Sequence, residues 1–322
     1  MFRISEYKKV QSLQEAWELN QKKSTRTAGG MTWLRLRHNP AGTFVDLSGL
    51  GLDRIEETED EIRIGCMVTL RDLEMSEVMD RYTEGAAKAA VCHIIGVQFR
   101  NMATVGGSIF GRFGFSDVLT LFLALDTCVE MYRGSEKTEL VPLTEFAAAK
   151  PDRDILTRII IRKEKLHAAY ESVRTNASTD FPALTAAGAL LEDGSIRLVI
   201  GAKPQRAERV PAAENWKAER PFAERSEETP LLTEETIRAF AEEARKTVKT
   251  GSNMRGSSRY RSALVGVETA RILRTLAGAK KNVNTEGNVR EGAAGCAERS
   301  GTGESDHAQN RNLRKEEKGV HA

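Results

Sequence analysis

Cysteine is scarce and unpaired in this 322-residue chain: Cys66, Cys92, Cys128 and Cys296 stand alone, and no C-x-x-C occurs. This excludes a disulfide framework, a cysteine-held zinc site and a protein-held iron–sulfur cluster. The histidines His38, His93, His167, His307 and His321 are equally scattered and never form H-E-x-x-H, so no metal site is expected. If the chain handles electrons, an organic cofactor has to hold them. An excess of one charge is also missing. Lys plus Arg number 48 against 46 Asp plus Glu, too even a balance to grip nucleic acid by bulk electrostatics. The longest apolar run, at 118–125, falls far short of a bilayer span. The start Met1-Phe2-Arg3-Ile4-Ser5-Glu6-Tyr7 lacks the apolar core of a secretory signal, so a cytoplasmic protein is expected.

What is present fits a globular protein of two or three cooperating units: 40% hydrophobic and 29% charged residues over this length. Strand-like segments rich in β-branched and aromatic residues lie at 44–47, 61–65, 128–132 and 155–161. Thr69 is placed to cap a helix over 70–75, and Ser116 one that runs to Leu125 with Asp117 in its first turn. Further strands are expected at 168–173, 183–191 and 196–200, with Glu192-Asp193-Gly194-Ser195 as a hairpin loop. Two helices follow. Thr233 caps the first, whose buried face is Ile237, Phe240, Ala241, Ala244 and Val248; the second is expected to bury Tyr260, Ala263, Leu264, Val267 and Ala270. The class is α+β. Residues 204–230 suggest no single element, and 279–322 carry too little apolar surface to offset the entropy of ordering, so a disordered tail is expected. Its basic pairs Lys280-Lys281 and Arg314-Lys315 read as a solvated tail rather than a partner contact.

Two glycine pairs stand out, in Thr27-Ala28-Gly29-Gly30-Met31 and Thr104-Val105-Gly106-Gly107-Ser108. Paired glycines permit positive φ and remove Cβ atoms, which lets backbone N–H groups converge on an anion such as a pyrophosphate. Each pair also reads as a plain tight turn. Gly49-Leu50-Gly51-Leu52-Asp53-Arg54 begins like G-x-G-x-x-G but has Arg54 in place of the third glycine, and no P-loop run occurs. A dinucleotide would therefore need a fold other than the Rossmann type.

The segment Phe99-Arg100-Asn101-Met102-Ala103-Thr104-Val105-Gly106-Gly107-Ser108-Ile109, followed by Ser116-Asp117-Val118-Leu119, resembles the R-N-x-x-T-[IV]-G-G-N-[IL] … S-D-[LV] signature of the FAD-binding subunits of molybdenum hydroxylases. Thr27-Ala28-Gly29-Gly30 falls where those subunits have A-G-G-T-D-L, and Arg255-Gly256-Ser257-Ser258-Arg259-Tyr260-Arg261 looks like their late R-G-S-x-x-Y-R segment. Asp180-Phe181-Pro182 lies where they enter a final sheet. The resemblance covers residues 1 to about 276 and is nearest to xanthine dehydrogenase flavoprotein subunits, with the carbon monoxide dehydrogenase flavoprotein family close by.

The resemblance implies a two-subdomain FAD-binding fold of the vanillyl-alcohol-oxidase kind over 1–165 and a small α+β domain over 166–278. It places Ala28, Gly29, Gly30, Met31, Thr32, Trp33, Leu34, Thr104, Gly106, Gly107 and Ser108 at the FAD. Asp117 would accept hydroxyl hydrogen bonds from the ribose or ribityl portion, a role compatible with its being a helix N-terminal charge. Leu156 would pack on the flavin ring, or serve only as a buried strand residue. Trp33 reads as core or flavin neighbour, and Phe110, Phe113 and Phe115 as loop packing, flavin wall or partner contact. The sequence departs from the pattern at Met31-Thr32, at Ser108 and at Tyr170-Glu171, where many relatives carry a lysine. No catalytic residue of the protein is expected, because the flavin carries the chemistry. The implied activity is electron relay to NAD+, with molybdopterin and [2Fe-2S] clusters on separate partner subunits. A flavoprotein serving another molybdenum hydroxylase and a flavin-free scaffold are the alternatives.

Overall fold

The computed structural model describes residues 3–36, 41–135, 137–176, 180–226, 228 and 230–278, which belong to one compact unit. β1 (Ile4–Lys9), β2 (Arg26–Ala28) and β3 (Ala41–Asp46) form a parallel sheet in the order β1-β3-β2. α1 (Leu13–Asn20) follows β1, and the Ser12 side chain caps it by accepting the Glu15 N–H. The carboxyl end of β2 opens directly into the first glycine pair. Loops at the carboxyl ends of parallel strands are where α/β layers bind ligands.

A second, antiparallel sheet contains β4 (Ile55–Glu57), β5 (Glu61–Gly65), β6 (Thr127–Tyr132), β7 (Thr138–Pro142) and β8 (Ile155–Arg162) in the order β4-β5-β8-β6-β7. Between β5 and β6 run α2 (Leu70–Met75), α3 (Glu77–Tyr82), α4 (Ala86–Val91), α5 (Val97–Arg100), α6 (Val105–Phe110) and α7 (Asp117–Ala124). Thr69 and Asp72 close a capping box on α2. Every residue of α7 is buried, so this helix is core on all sides rather than amphipathic. α8 (Leu143–Ala148) precedes β8.

The third sheet is antiparallel, β9 (Leu166–Arg174), β10 (Pro182–Leu191), β11 (Ile196–Gly201) and β12 (Glu208–Arg209), ordered β12-β11-β10-β9. The β10–β11 hairpin turns at Gly194, φ +80°. Ala168, Tyr170, Ala187 and Val199 join the hydrophobic cluster of the first two sheets, while Ala169, Ala186, Leu198 and Ile200 join a second cluster with α9 (Glu234–Thr247) and α10 (Ser258–Ala277). That period-two division means the sheet is buried on both faces, which explains its nearly continuous apolar strands.

The expected strands and both capped late helices are present, and Gly49 to Arg54 opens no helix but leads into β4. One face was misread. In α10 the buried side is Arg261, Val265, Glu268, Thr269, Ile272, Leu273 and Leu276, while Tyr260, Ala263 and Val267 are exposed and Leu264 and Ala270 lie half-buried beside it. The apolar periodicity misled because three polar residues are buried, of which Arg261 fixes the rotation of the helix. Its guanidinium donates to the carbonyls of Ala183, Gly251 and Gly256 and to Asn253 Oδ1. Residues 204–230 supply β12 and two short 3-10 turns. The expectations for His38 and for residues 279–322 lie outside the described residues.

Candidate functional site

The first glycine pair does not use positive φ. That conformation falls on Met31, φ +57°, a left-handed backbone that an ordinary side chain adopts only at a cost of about 1–3 kcal/mol. The glycines serve close approach instead. A Cβ on Gly30 would lie 1.4 Å from the Met102 carbonyl oxygen, and one on Gly29 would collide with Thr104. Beyond β2 the backbone N–H groups of Gly29, Gly30, Met31, Thr32, Trp33 and Leu34 have no acceptor among the described residues. Successive amides of this kind around a left-handed residue form a nest for an anion.

The second pair is not a tight turn either. Gly106 and Gly107 lie in the first turn of α6, capped by Thr104, whose Oγ1 accepts the Gly107 N–H at 3.1 Å. Val105, Gly106 and Ser108 N–H donate to the carbonyls of Val68, Cys66 and Thr104. These amides are therefore satisfied by the chain, and the expectation that both pairs offer donors holds only for the first. What α6 contributes is a surface without side chains. A Cβ on Gly106 would strike Cys66, at 2.5 Å from its carbonyl oxygen, while one on Gly107 would meet only Thr104 Oγ1 at 3.0 Å.

The two loops border one cavity of about 640 Å³, within the usual range for a small-molecule site. Ala28, Gly29, Gly30, Met31, Thr32, Trp33, Leu34, Thr104, Gly106, Gly107, Ser108, Asp117 and Leu156 all line it. An aromatic wall closes part of it. Trp33 lies 5.6 Å from Phe113, 5.2 Å from Phe115 and 5.5 Å from Phe181, and Phe113 stacks on Phe115. The Arg255 guanidinium sits 4.6 Å over the Phe181 ring, so the late R-G-S segment backs this wall. Phe110 also borders the cavity but pairs with Phe146.

Asp117, at the start of α7, is the buried carboxylate of the cavity. Its Oδ1 accepts from Tyr170 at 2.5 Å and from Arg174 Nη2 at 2.6 Å, both on β9. Burial pushes the Asp117 carboxyl up from its ordinary range, against the pull of Arg174 and the Tyr170 hydrogen bond. Cys66 also borders the cavity; burial pushes its thiol up to about 12, so it is an inert wall atom rather than a nucleophile.

Several features escaped sequence reasoning. Arg174 belongs to no recognised motif, its only signal being a lone arginine ending an apolar strand, and Tyr170 stood out only as a departure from the family pattern, not as a partner of Asp117. Arg100 of the R-N motif faces away from the cavity, with Nε donating to Glu74 at 2.7 Å and Nη1 to the Ile94 carbonyl, which ties α5 to α2. It supports the wall without touching its interior.

A mostly apolar slot with an anion nest at one loop and a buried carboxylate defines a protein that holds an extended, anionic, hydroxyl-bearing cofactor. Residues 2–163 match the family model described as FAD binding domain in molybdopterin dehydrogenase. The chain belongs to this family and is an FAD-binding oxidoreductase component of the molybdenum hydroxylase class. It is 27% identical over 274 residues to the nicotine 6-hydroxylase medium subunit of Paenarthrobacter nicotinovorans, covering 80% of this chain and 92% of that one. It is also 26% identical over 242 residues to the uncharacterized protein YgfM of Escherichia coli, covering 73% and 88%. In fold it resembles the carbon monoxide dehydrogenase of Hydrogenophaga pseudoflava lacking the Mo-pyranopterin moiety, with a TM-score of 0.74, 22% identity, and coverage of 85% of this chain and 97% of that one.

Proposed function

We propose that this chain is the FAD subunit of a xanthine dehydrogenase-like complex, relaying electrons from [2Fe-2S] clusters on one partner subunit to NAD+, with molybdopterin on another. The observation that carries the cofactor assignment is the run of six amides from Gly29 to Leu34 that have no acceptor among the described residues, beside the side-chain-free face of α6. Those amides fit the diphosphate. The aromatic wall and Leu156 fit the flat rings, and Asp117 suits a sugar or ribityl hydroxyl. FAD, when bound, would supply the exchange of two single electrons and a proton for one hydride. The chain's own residues bind it, orient it and exclude water from the slot.

We assign residues 1–165 to the domain that supplies the loops and 166–278 to a second domain whose β9 closes the slot with Tyr170 and Arg174. The isolated cysteines support placing the iron–sulfur clusters on a partner. No described helix is long and apolar enough to cross a membrane; the cytoplasmic placement is part of the proposal.

The second reading, a flavoprotein of another hydroxylase, draws on a relative named for nicotine hydroxylation and a structural neighbour named for carbon monoxide. Co-purification from the native cell, with flavin, iron and molybdenum analysis and a substrate panel, separates the two. Xanthine-dependent NAD+ reduction supports the first reading, and oxidation of another substrate the second. A protein without flavin would be a scaffold and would overturn both.

A further inference from the structure

Arg174 is an unusual residue to find against this cavity. Its side chain is 7% exposed, it borders an otherwise largely apolar slot, and it uses two of its three nitrogens: Nη2 donates to Asp117 Oδ1 and Nη1 to the Asp180 carbonyl at 2.7 Å, while Nε is buried without a partner. Tyr170 donates to the same Oδ1. Both donors converge on one carboxylate oxygen, and no hydrogen bond from another described residue reaches the second, Oδ2. A carboxylate held in this way has one oxygen saturated by protein and the other free for a ligand hydroxyl.

We propose that Arg174 is a positioning residue for FAD: it favours the charged form of Asp117 inside the slot and fixes its rotamer so that Oδ2 accepts a cofactor hydroxyl. The inference rests on the FAD reading above. An unpaired carboxylate in low-dielectric surroundings takes up a proton instead of staying charged. Arg174 is the cation in direct contact with Asp117. The other titratable groups facing the pair are Tyr170 on β9, whose phenol burial holds neutral, and Cys92 and His93 following α4. Burial and Arg174 itself hold the His93 imidazole below its ordinary range, which disfavours a second positive charge beside the pair. Tyr170 alone orients the carboxylate but cannot neutralise it.

The test is the equilibrium affinity for FAD across pH in the wild-type chain, Arg174→Met, Arg174→Lys, Asp117→Asn and the double variant Asp117→Asn/Arg174→Met, with thermal unfolding of each apoprotein recorded in parallel. Wild type is expected to lose less FAD affinity toward acidic pH than Arg174→Met does, because Arg174 opposes the burial that favours a protonated Asp117. Arg174→Met is expected to bind roughly ten-fold or more weakly at the acidic end, the loss shrinking as pH rises and Asp117 ionises. Arg174→Lys restores charge without the forked geometry and recovers the wild-type profile at reduced affinity. In the double variant the pH dependence disappears, which a purely structural role for Arg174 would not produce.

An Arg174→Met chain that melts like wild type and binds FAD with the wild-type profile overturns the inference, and so does an equal loss at every pH. If Arg174→Met does not fold, Arg174→Lys and the double variant decide: a Lys profile as steep as that of a neutral substitution, or a double variant still pH-dependent, overturns it. Asp117→Asn binding as tightly as wild type removes Asp117 from the site, and a wild-type chain that binds no FAD refutes the underlying reading instead.

Discussion

Gly29 and Thr104 meet so closely that a Cβ on Gly29 would fall 2.2 Å from Thr104 Oγ1, the oxygen that also caps α6. The loop after the parallel sheet and the helix that borders the cavity are thereby locked at one contact, and either glycine of the pair is tied to the other lobe by sterics alone.

Gly29→Ala therefore pushes aside a movable hydroxyl and weakens a cap, at a cost of about 1 kcal/mol. Gly30→Ala drives a methyl group into the fixed Met102 carbonyl and should cost about 3 kcal/mol. Urea unfolding of both, with Thr104→Ala as the second arm of a double-mutant cycle, checks this: Gly29→Ala should cost less once Thr104 is alanine.

Glu268 on α10 makes stability pH-dependent. Burial, with Glu171 adding to it, pushes its carboxyl from 4.5 up to about 7, against the pull of Arg271. Below about pH 4.5 the folded and unfolded chains both hold the proton; between 4.5 and 7 only the folded chain does, so this carboxyl's contribution is lost as pH rises through 7. The penalty at higher pH is about 3 kcal/mol. Glu268→Gln should raise the unfolding midpoint at about pH 8 and change it little near pH 4.5.

Arg261 carries the late R-G-S segment structurally. Its removal as Arg261→Met takes the guanidinium donor from the Ala183 and Gly251 carbonyls, and leaves the Gly256 carbonyl and Asn253 Oδ1 with only the N–H groups of Asn253 and Arg255, a loss of about 3 kcal/mol. The folded fraction should retain its cofactor, as read by the ratio of flavin to native protein.

Cys66 should resist alkylation at neutral pH despite bordering the cavity, since its thiol titrates only near about 12. Mass spectrometry after iodoacetamide treatment of the native chain measures this, and rapid labelling would show that the cavity wall opens.

Local chemistry made much of this legible. Thr69, Ser116 and Thr233 cap helices as their side chains dictate, and runs rich in apolar and β-branched residues located β5, β6, β8, β9, β10 and β11. The glycine pairs located the cavity but not the reason for it: only spatial contact reveals that Gly30 packs on Met102 while the amides after it find no acceptor among the described residues. The buried face of α10 was illegible because Arg261 and Glu268 are polar residues buried through partners distant in sequence or through their own helix. The Asp117–Tyr170–Arg174 cluster was hidden for the same reason, its members being brought together by the packing of α7 on the third sheet.

The most direct measurement is the flavin content of the chain purified from flavin-replete cells, set beside that of Gly30→Ala. An equimolar yield of FAD on denaturation of the wild type, with a large loss in a variant that still folds, is the result expected of a slot closed by these two lobes. A colourless wild-type chain that neither carries nor takes up FAD would contradict it.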